Sequence, residues 1–167
     1  MRRTAIAVFA GLAAAAFIGP AQAGVMVSFL PAASYHDFDA EAPAVRASML
    51  NEIRQTFEQL GAEYLKPGQN LKIEVLDITR AGMVDPRRPL GDLRIVSSTM
   101  PPPRIKVQYA LMQNGKTILH AQETIADIDY LQNTNARFSS DPLVYEKATL
   151  RDWFATRFGT AAPGPRY

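Results

Sequence analysis

An Asn114-Gly115 pair between two alternating runs is the feature that most restricts the folds open to this chain. The runs read RIKVQYALMQ and KTILHAQETIADI, with apolar residues at alternate positions. Both residues of the pair tolerate positive φ, so it favours a two-residue type I′ turn in a β-hairpin. Such a turn predicts that Leu111 lies opposite Ile118 and that Tyr109 lies opposite His120. In this register one apolar face is formed by Ile105, Val107, Tyr109, Leu111 and Ile118.

Two segments have the periodicity of amphipathic helices. In residues 41–65 apolar side chains recur at steps of three and four, and Pro43 fits the first turn. The stripe consists of Val45, Met49, Ile53, Phe57, Leu60 and Tyr64. The second helix begins with Ser140 or Asp141 as its N-cap and has Pro142 in its first turn. Its apolar face is formed by Leu143, Leu150, Phe154 and Phe158, with Trp153 largely buried beside them.

Shorter runs at residues 25–29, 71–78 and 92–96 alternate as strands do. The order of elements is therefore strand, helix, strand, strand, hairpin, helix, without the repeated βα alternation of a doubly wound sheet. We predict an α+β fold. Its antiparallel-dominated sheet of four to five strands carries two amphipathic helices packed on one face.

The N-terminal segment has the three parts of an export signal. Arg2 and Arg3 precede an apolar run of residues 5–18, and Ala21-Gln22-Ala23 places small residues where a signal peptidase reads them. The run is shorter than the roughly 20 residues that a membrane-spanning helix needs. We expect cleavage before Gly24.

This processing defines the domain organisation. We expect residues 1–23 to be a signal peptide, residues 24–158 a single globular α+β domain and residues 159–167 a flexible C-terminal tail. The chain contains no cysteine, which excludes both a lipid anchor at a lipobox and disulfides. The expected protein is periplasmic, is not a lipoprotein, and has no transmembrane segment after cleavage.

Charge does not favour nucleic-acid binding. The chain has 18 Lys and Arg against 16 Asp and Glu, and two of the arginines lie in the expected signal peptide. The charges are nevertheless segregated, because residues 37–63 are mainly acidic and residues 80–106 mainly basic. Two interpretations stay open: the segments complement one another in the fold, or the basic segment forms a face for an acidic partner or a lipid headgroup.

No catalytic or metal-binding constellation stands out. There is no cysteine and no Gly-x-Ser-x-Gly elbow, and His120 lies in a predicted strand, where a packed histidine is the simpler interpretation. HDFD (residues 36–39) and DID (residues 127–129) lack the spacing of known metal motifs. Residues 81–91 contain glycine but not the pattern of a phosphate-binding loop. We expect no metal and no cofactor.

The connection into the last helix is the candidate binding surface. Its carboxylates, aromatic ring, amide and guanidinium suit a polar ligand or the backbone of a partner protein. The residues predicted to share one exposed or half-exposed patch are Asp127, Tyr130, Asn133, Arg137 and Glu146. The alternative is that Arg137 pairs with a carboxylate and merely fixes a long loop.

Several phrases together resemble one family of exported bacterial proteins, the domain of unknown function 3016. They are YLKPGQNLKIEVLDITRAG, DLRIV…PPRIKVQYAL…NGK, ADIDYL and SSDPLVYEKATLRDWFATRF, and the most specific part is L-x-YEK-x-x-L-x-DWF. The resemblance covers nearly all of the chain after the signal. It implies a periplasmic protein of Gram-negative bacteria and brings no assigned activity or catalytic residues.

Two functions remain as hypotheses. The first is a non-catalytic binding or envelope-accessory protein that recognises a periplasmic protein or a small polar ligand. The second is a small periplasmic hydrolase whose acidic general base is Asp127 or Glu146. An enzyme should gather several titratable groups in one cleft, whereas an accessory protein should present a shallow face. The sequence favours the first.

Overall fold

The computed structural model describes residues 23–31, 35, 37, 41–85, 87 and 94–159. The predicted signal peptide, except for Ala23, and the predicted tail, except for Gly159, lie outside the described residues. In chain order the strands are β1 (Gly24–Phe29), β2 (Gln69–Thr79), β3 (Met83–Val84), β4 (Arg94–Ile95), β5 (Arg104–Gln113) and β6 (Lys116–Ala126). The helices are α1 (Pro43–Tyr64), α2 (Thr134–Arg137) and α3 (Val144–Phe158), and a 3-10 turn covers Tyr130–Gln132.

Four strands form the main sheet in the order β1-β2-β5-β6. The β2–β5 and β5–β6 pairs are antiparallel, while β1 runs parallel to β2 because α1 carries the chain back between them. β3 and β4 pair separately as a short two-stranded sheet. The α+β class and the mostly antiparallel sheet are confirmed.

The core lies between one face of the main sheet and the two long helices. Alternate residues of β2 and β5 point into it, whereas Lys72 and Glu74 point to the opposite, open face. On the helix side, Ile53 and Phe57 of α1 and Phe154 of α3 belong to the same buried cluster, in which the Phe57 and Phe154 rings pack edge-on. The predicted stripe of α1 is buried in its middle, but Val45 at its N-terminal end is 39% exposed.

The hairpin turn is confirmed, and its predicted register is wrong by one residue. Asn114 and Gly115 both have positive φ, at 50° and 81°. Leu111 lies opposite Leu119 instead of Ile118, and Tyr109 lies opposite Ala121 instead of His120. A bulge in β6 takes up the extra residue, Ile118, which is 56% exposed. A shift of one residue exchanges the two faces of a strand.

The N-cap prediction for the last helix also needs correction. α3 begins at Val144, and its N-cap is Leu143 instead of Ser140 or Asp141. Asp141 shapes the turn before the helix: its Oδ1 accepts the Leu143 N–H at 2.8 Å, and its carbonyl accepts the Val144 N–H at 3.3 Å. Pro142 belongs to this turn, so the chain enters the helix later than its residue types suggest.

Lys147 joins the start of α3 to α1. Its Nζ donates to Asp141 Oδ2 at 2.7 Å and to Glu52 Oε2 at 2.9 Å. Burial alone lowers the pKa of Lys147, but the two carboxylates outweigh it and raise that pKa above its usual value.

Within the described ranges, no helix has the length and apolar character needed to cross a membrane.

Candidate functional site

A cleft of about 760 Å³ opens between the start of α1, the end of β2, β4 and the segment that joins α2 to α3. Its charged lining residues are Glu41, Arg80, Arg94, Arg137 and Asp141. Its apolar walls include Val45, Met49, Val96, Ala136, Val144 and Tyr145. The cleft therefore combines apolar walls with several guanidinium groups.

Arg80 forms the buried floor of the cleft. Its Nη2 donates to Glu41 Oε1 at 2.5 Å and to the carbonyl of Asp37 at 3.2 Å. Its backbone N–H donates to Asp37 Oδ2 at 2.6 Å, and its Nη1 lies 3.3 Å from the Sδ of Met49. These bonds tie the segment before α1 to the end of β2, and they hold the floor in place.

Arg94 of β4 secures the chain that follows Arg80. Its Nε donates to the carbonyl of Ala81 at 3.0 Å, and its Nη2 donates to the carbonyl of Gly82 at 2.9 Å. Gly82 has φ of 75°, and a Cβ there would lie 2.2 Å from the carbonyl oxygen of Ile95. Burial lowers the pKa of Arg94, the neighbouring Arg80 adds to that effect, and Asp37 opposes it.

Ion pairs in this floor join the acidic segment (residues 37–63) to the basic segment (residues 80–106). Arg80 pairs with Glu41, and Arg94 lies 3.5 Å from Asp37. The acidic segment before α1 and the basic segment after β2 thus complement one another at these four residues, as the first interpretation predicted.

Glu146 lies behind the cleft, with only 1% of its surface exposed. Its Oε1 accepts the N–H of Ala81 at 2.7 Å, and among the described residues its Oε2 has no hydrogen-bond partner. Desolvation raises the pKa of the Glu146 carboxyl, although the Ala81 N–H, Arg94 and Arg80 partly offset this. The carboxyl is enclosed by protein and does not face the cleft.

Arg137 lies at the mouth of the cleft with an exposed side chain. Its Nε donates to the carbonyl of Leu131 at 3.1 Å. In the described part of the chain no carboxylate lies within ion-pair distance of this guanidinium. The alternative of an Arg137–carboxylate pair is therefore wrong for these residues, and a backbone carbonyl orients the side chain instead.

The other three predicted residues shape the connection. Tyr130 is 3% exposed, donates its hydroxyl to the carbonyl of Ser97 at 3.0 Å and packs edge-on against Tyr145. Asn133 caps α2 by accepting the N–H of Ala136. Asp127 accepts the N–H of Asp129 at 2.9 Å and lines a separate hollow of about 280 Å³ beside Asp152 and Trp153.

The prediction of one exposed patch therefore needs correction. Tyr130 and Glu146 are buried, Asp127 faces a different hollow, and of the five predicted residues Arg137 lines the cleft. The residues that sequence reasoning missed are Arg80 and Arg94. The basic character of residues 80–106 was the available signal, but it does not identify which arginines become buried.

The described residues contain no group of three or more His, Cys, Asp or Glu side chains that could hold a metal ion. The arrangement is suited to non-covalent binding: a rigid arginine-rich floor, apolar walls and one oriented, exposed guanidinium.

The fold and the cleft define a small α+β protein with two long helices on one face of a mostly antiparallel sheet. The family model described as "Protein of unknown function (DUF3016)" matches residues 23–156, so the chain belongs to that family, as the resemblance predicted. No curated protein and no solved structure matches the chain significantly.

Proposed function

We propose that this protein is an exported, periplasmic, non-catalytic binding protein and that the cleft is its binding site. The observation that carries the proposal is the combination of a cleft of about 760 Å³ with apolar walls and a hydrogen-bonded polar floor. Small-molecule sites typically have volumes of about 300–1,000 Å³, mostly apolar linings and a few fixed polar groups. The floor needs no rearrangement to present this surface, which lowers the entropic cost of binding.

The hydrolase hypothesis has weaker support. A general base must be ionised and must reach a water molecule beside the substrate. Burial favours the protonated form of Glu146, and its side chain lies behind Ala81. Asp127 lies in the separate hollow and is bonded to its own loop. Neither carboxyl is among the residues that line the cleft.

Export rests on the sequence of residues 1–23. The test is the intact mass of the protein recovered from a periplasmic fraction. We expect a chain that begins at Gly24, because Ala21 and Ala23 supply the small residues at the cleavage site. A mass that retains residues 1–23 would contradict this part of the proposal.

The cleft is tested by blocking it. Val45→Trp adds bulk at a partly exposed position of the cleft wall, and Ile118→Trp adds similar bulk at an exposed apolar position on β6, outside the cleft. Isotope-labelled protein is mixed with a small-molecule extract of the periplasm, and amide signals are followed by NMR. We expect signals from cleft residues to shift in the parent and in Ile118→Trp, but not in Val45→Trp.

Equal shifts in the Val45→Trp variant would place binding elsewhere and refute the proposed site. The same samples distinguish a binding protein from a hydrolase, because the bound molecule can be recovered and its mass measured by mass spectrometry. Recovery of an unchanged ligand supports binding, and recovery of a cleaved product supports the hydrolase.

A further inference from the structure

We infer that the ligand of the cleft is an anionic amphiphile: a small molecule with an apolar body and one carboxylate or phosphate group that Arg137 holds. This inference rests on the proposed function and adds the chemical class of the ligand. It depends on which charges at the cleft already have partners and on where the apolar surface lies.

The two described acidic residues that line the cleft are already paired. Glu41 accepts from Arg80 at 2.5 Å, and Asp141 accepts from Lys147 at 2.7 Å. Arg137, in contrast, has no carboxylate partner within the described residues. The charge left for a ligand at the mouth of the cleft is therefore positive, and it favours an anion.

Arg137 is also oriented for recognition. Its Nε is held by the carbonyl of Leu131 at 3.1 Å, while its two Nη groups have no partner among the described residues. A guanidinium binds a carboxylate or phosphate through two parallel hydrogen bonds, and part of the entropic cost is removed when the fork is already fixed.

One exposed guanidinium does not hold a small anion tightly in water, because exposed ion pairs are weak. The apolar walls must supply most of the binding. Val45 is 39% exposed in the cleft wall, and the half-buried Val96, Val144 and Tyr145 also line the cleft. Next to Arg137 in the chain, Phe138 is 91% exposed, which adds apolar surface near the charged group. A molecule with both an acidic head and an apolar body uses all of these features.

The test is a set of probes that share one apolar chain and differ in the head: decanoate, decyl phosphate, decanol and decyltrimethylammonium, each below its critical micelle concentration. Binding to the mature protein is measured by calorimetry. We expect decanoate or decyl phosphate to bind more tightly than decanol and decyltrimethylammonium to bind most weakly. The ratio of the affinities for decanoate and decyl phosphate distinguishes a carboxylate ligand from a phosphate ligand.

Three variants locate the head group. Arg137→Gln should weaken binding of the anionic probes by about tenfold or more and leave decanol unchanged, because it removes a charge-assisted hydrogen-bond pair. Arg137→Lys keeps the charge and should retain part of the affinity. Arg151→Gln removes an equal charge from an exposed position of α3 outside the cleft and should have no effect.

The outcomes are distinguishable. If all four probes bind equally, Arg137→Gln has no effect and Val45→Trp abolishes binding, the cleft is a site but the anionic class is wrong. If Val45→Trp leaves binding unchanged, both the inference and the proposed site fail. If none of the probes binds, the amphiphile inference is overturned, and the proposed function is decided by its own NMR experiment.

Discussion

Replacement of Glu123 by alanine should destabilise this protein more than any ordinary surface substitution. The Glu123 carboxylate joins three elements: its Oε1 accepts the Tyr109 hydroxyl of β5 at 2.8 Å, and its Oε2 accepts the Trp153 Nε1–H of α3 at 3.0 Å. Arg157 of α3 forms an ion pair with the same carboxylate. The residue is available for these contacts because the β6 bulge turns it towards the helices.

The magnitude follows from burial. The Tyr109 side chain is buried, so its hydroxyl loses its partner without gaining water, at a cost of about 1–3 kcal/mol. Trp153 is only half-buried, so we assign its lost bond about 1 kcal/mol. The Arg157 pair is partly exposed and contributes less than about 1 kcal/mol. We expect a loss of about 3 kcal/mol in the free energy of unfolding.

Urea denaturation followed by Trp153 fluorescence measures this loss. Glu58→Ala is the matched control, because Glu58 is exposed on α1, and we expect its effect to stay within about 0.5 kcal/mol. In a Tyr109→Phe background the cost of Glu123→Ala should fall by about 1 kcal/mol or more, since the hydroxyl is already absent. A loss below about 1 kcal/mol, or strictly additive effects, would refute the reasoning.

Three further predictions concern single positions. Glu146→Gln should become more stable relative to the parent as the pH rises above 4.5, the ordinary pKa of a Glu carboxyl. Because the pKa of Glu146 is raised in the fold, the folded parent binds this proton more tightly than the unfolded chain does, and the parent loses stability as the proton leaves. Urea midpoints of both proteins at several pH values measure the difference in stability, and a difference that stays constant with pH would contradict the prediction. Gly82→Ala should lower the free energy of unfolding by about 3 kcal/mol or more, and Gly115→Ala by only about 1 kcal/mol. Both glycines have positive φ, but of the two only Gly82 would place a Cβ against backbone atoms. Thermal unfolding measures both losses, and equal losses would refute the distinction. Asp141→Ala should cost about 1–2 kcal/mol, because the Leu143 N–H loses its acceptor, and an unchanged urea midpoint would argue against that turn.

Local chemistry made the hairpin predictable, and tertiary packing set its register. The turn depends on two adjacent residues, Asn114 and Gly115, whose backbone preferences are intrinsic. The bulge at Ile118 depends on which side chains of β6 pack against the helices, where Leu119 lies against the core. That choice is made by distant parts of the chain, so alternation along one strand could not reveal it.

The candidate site was predictable only in part, because some of its residues are placed by contacts with distant parts of the chain. Arg137 lies in a polar connection after a strand and before a helix, which sequence reasoning could identify. Arg80 forms an ion pair with Glu41, and Arg94 forms one with Asp37. Both carboxylates lie far from the arginines in the chain, so the sequence does not show these pairs. Glu146 has a charged side chain within an amphipathic helix, and only the fold shows that the N–H of Ala81 holds it in the interior.

The position of β1 has a consequence for the order in which the sheet assembles and opens. Among the described strands it pairs only with β2, and Gly24 meets Asn70 across a segment that contains the whole of α1. The β5–β6 hairpin closes through a two-residue turn, whereas β1 must wait for a far longer loop to close, at a greater entropic cost. We expect hydrogen exchange to be faster for the amides of β1 than for those that join β2 to β5. The first described strand of the chain would then be the last to enter the sheet and the first to leave it.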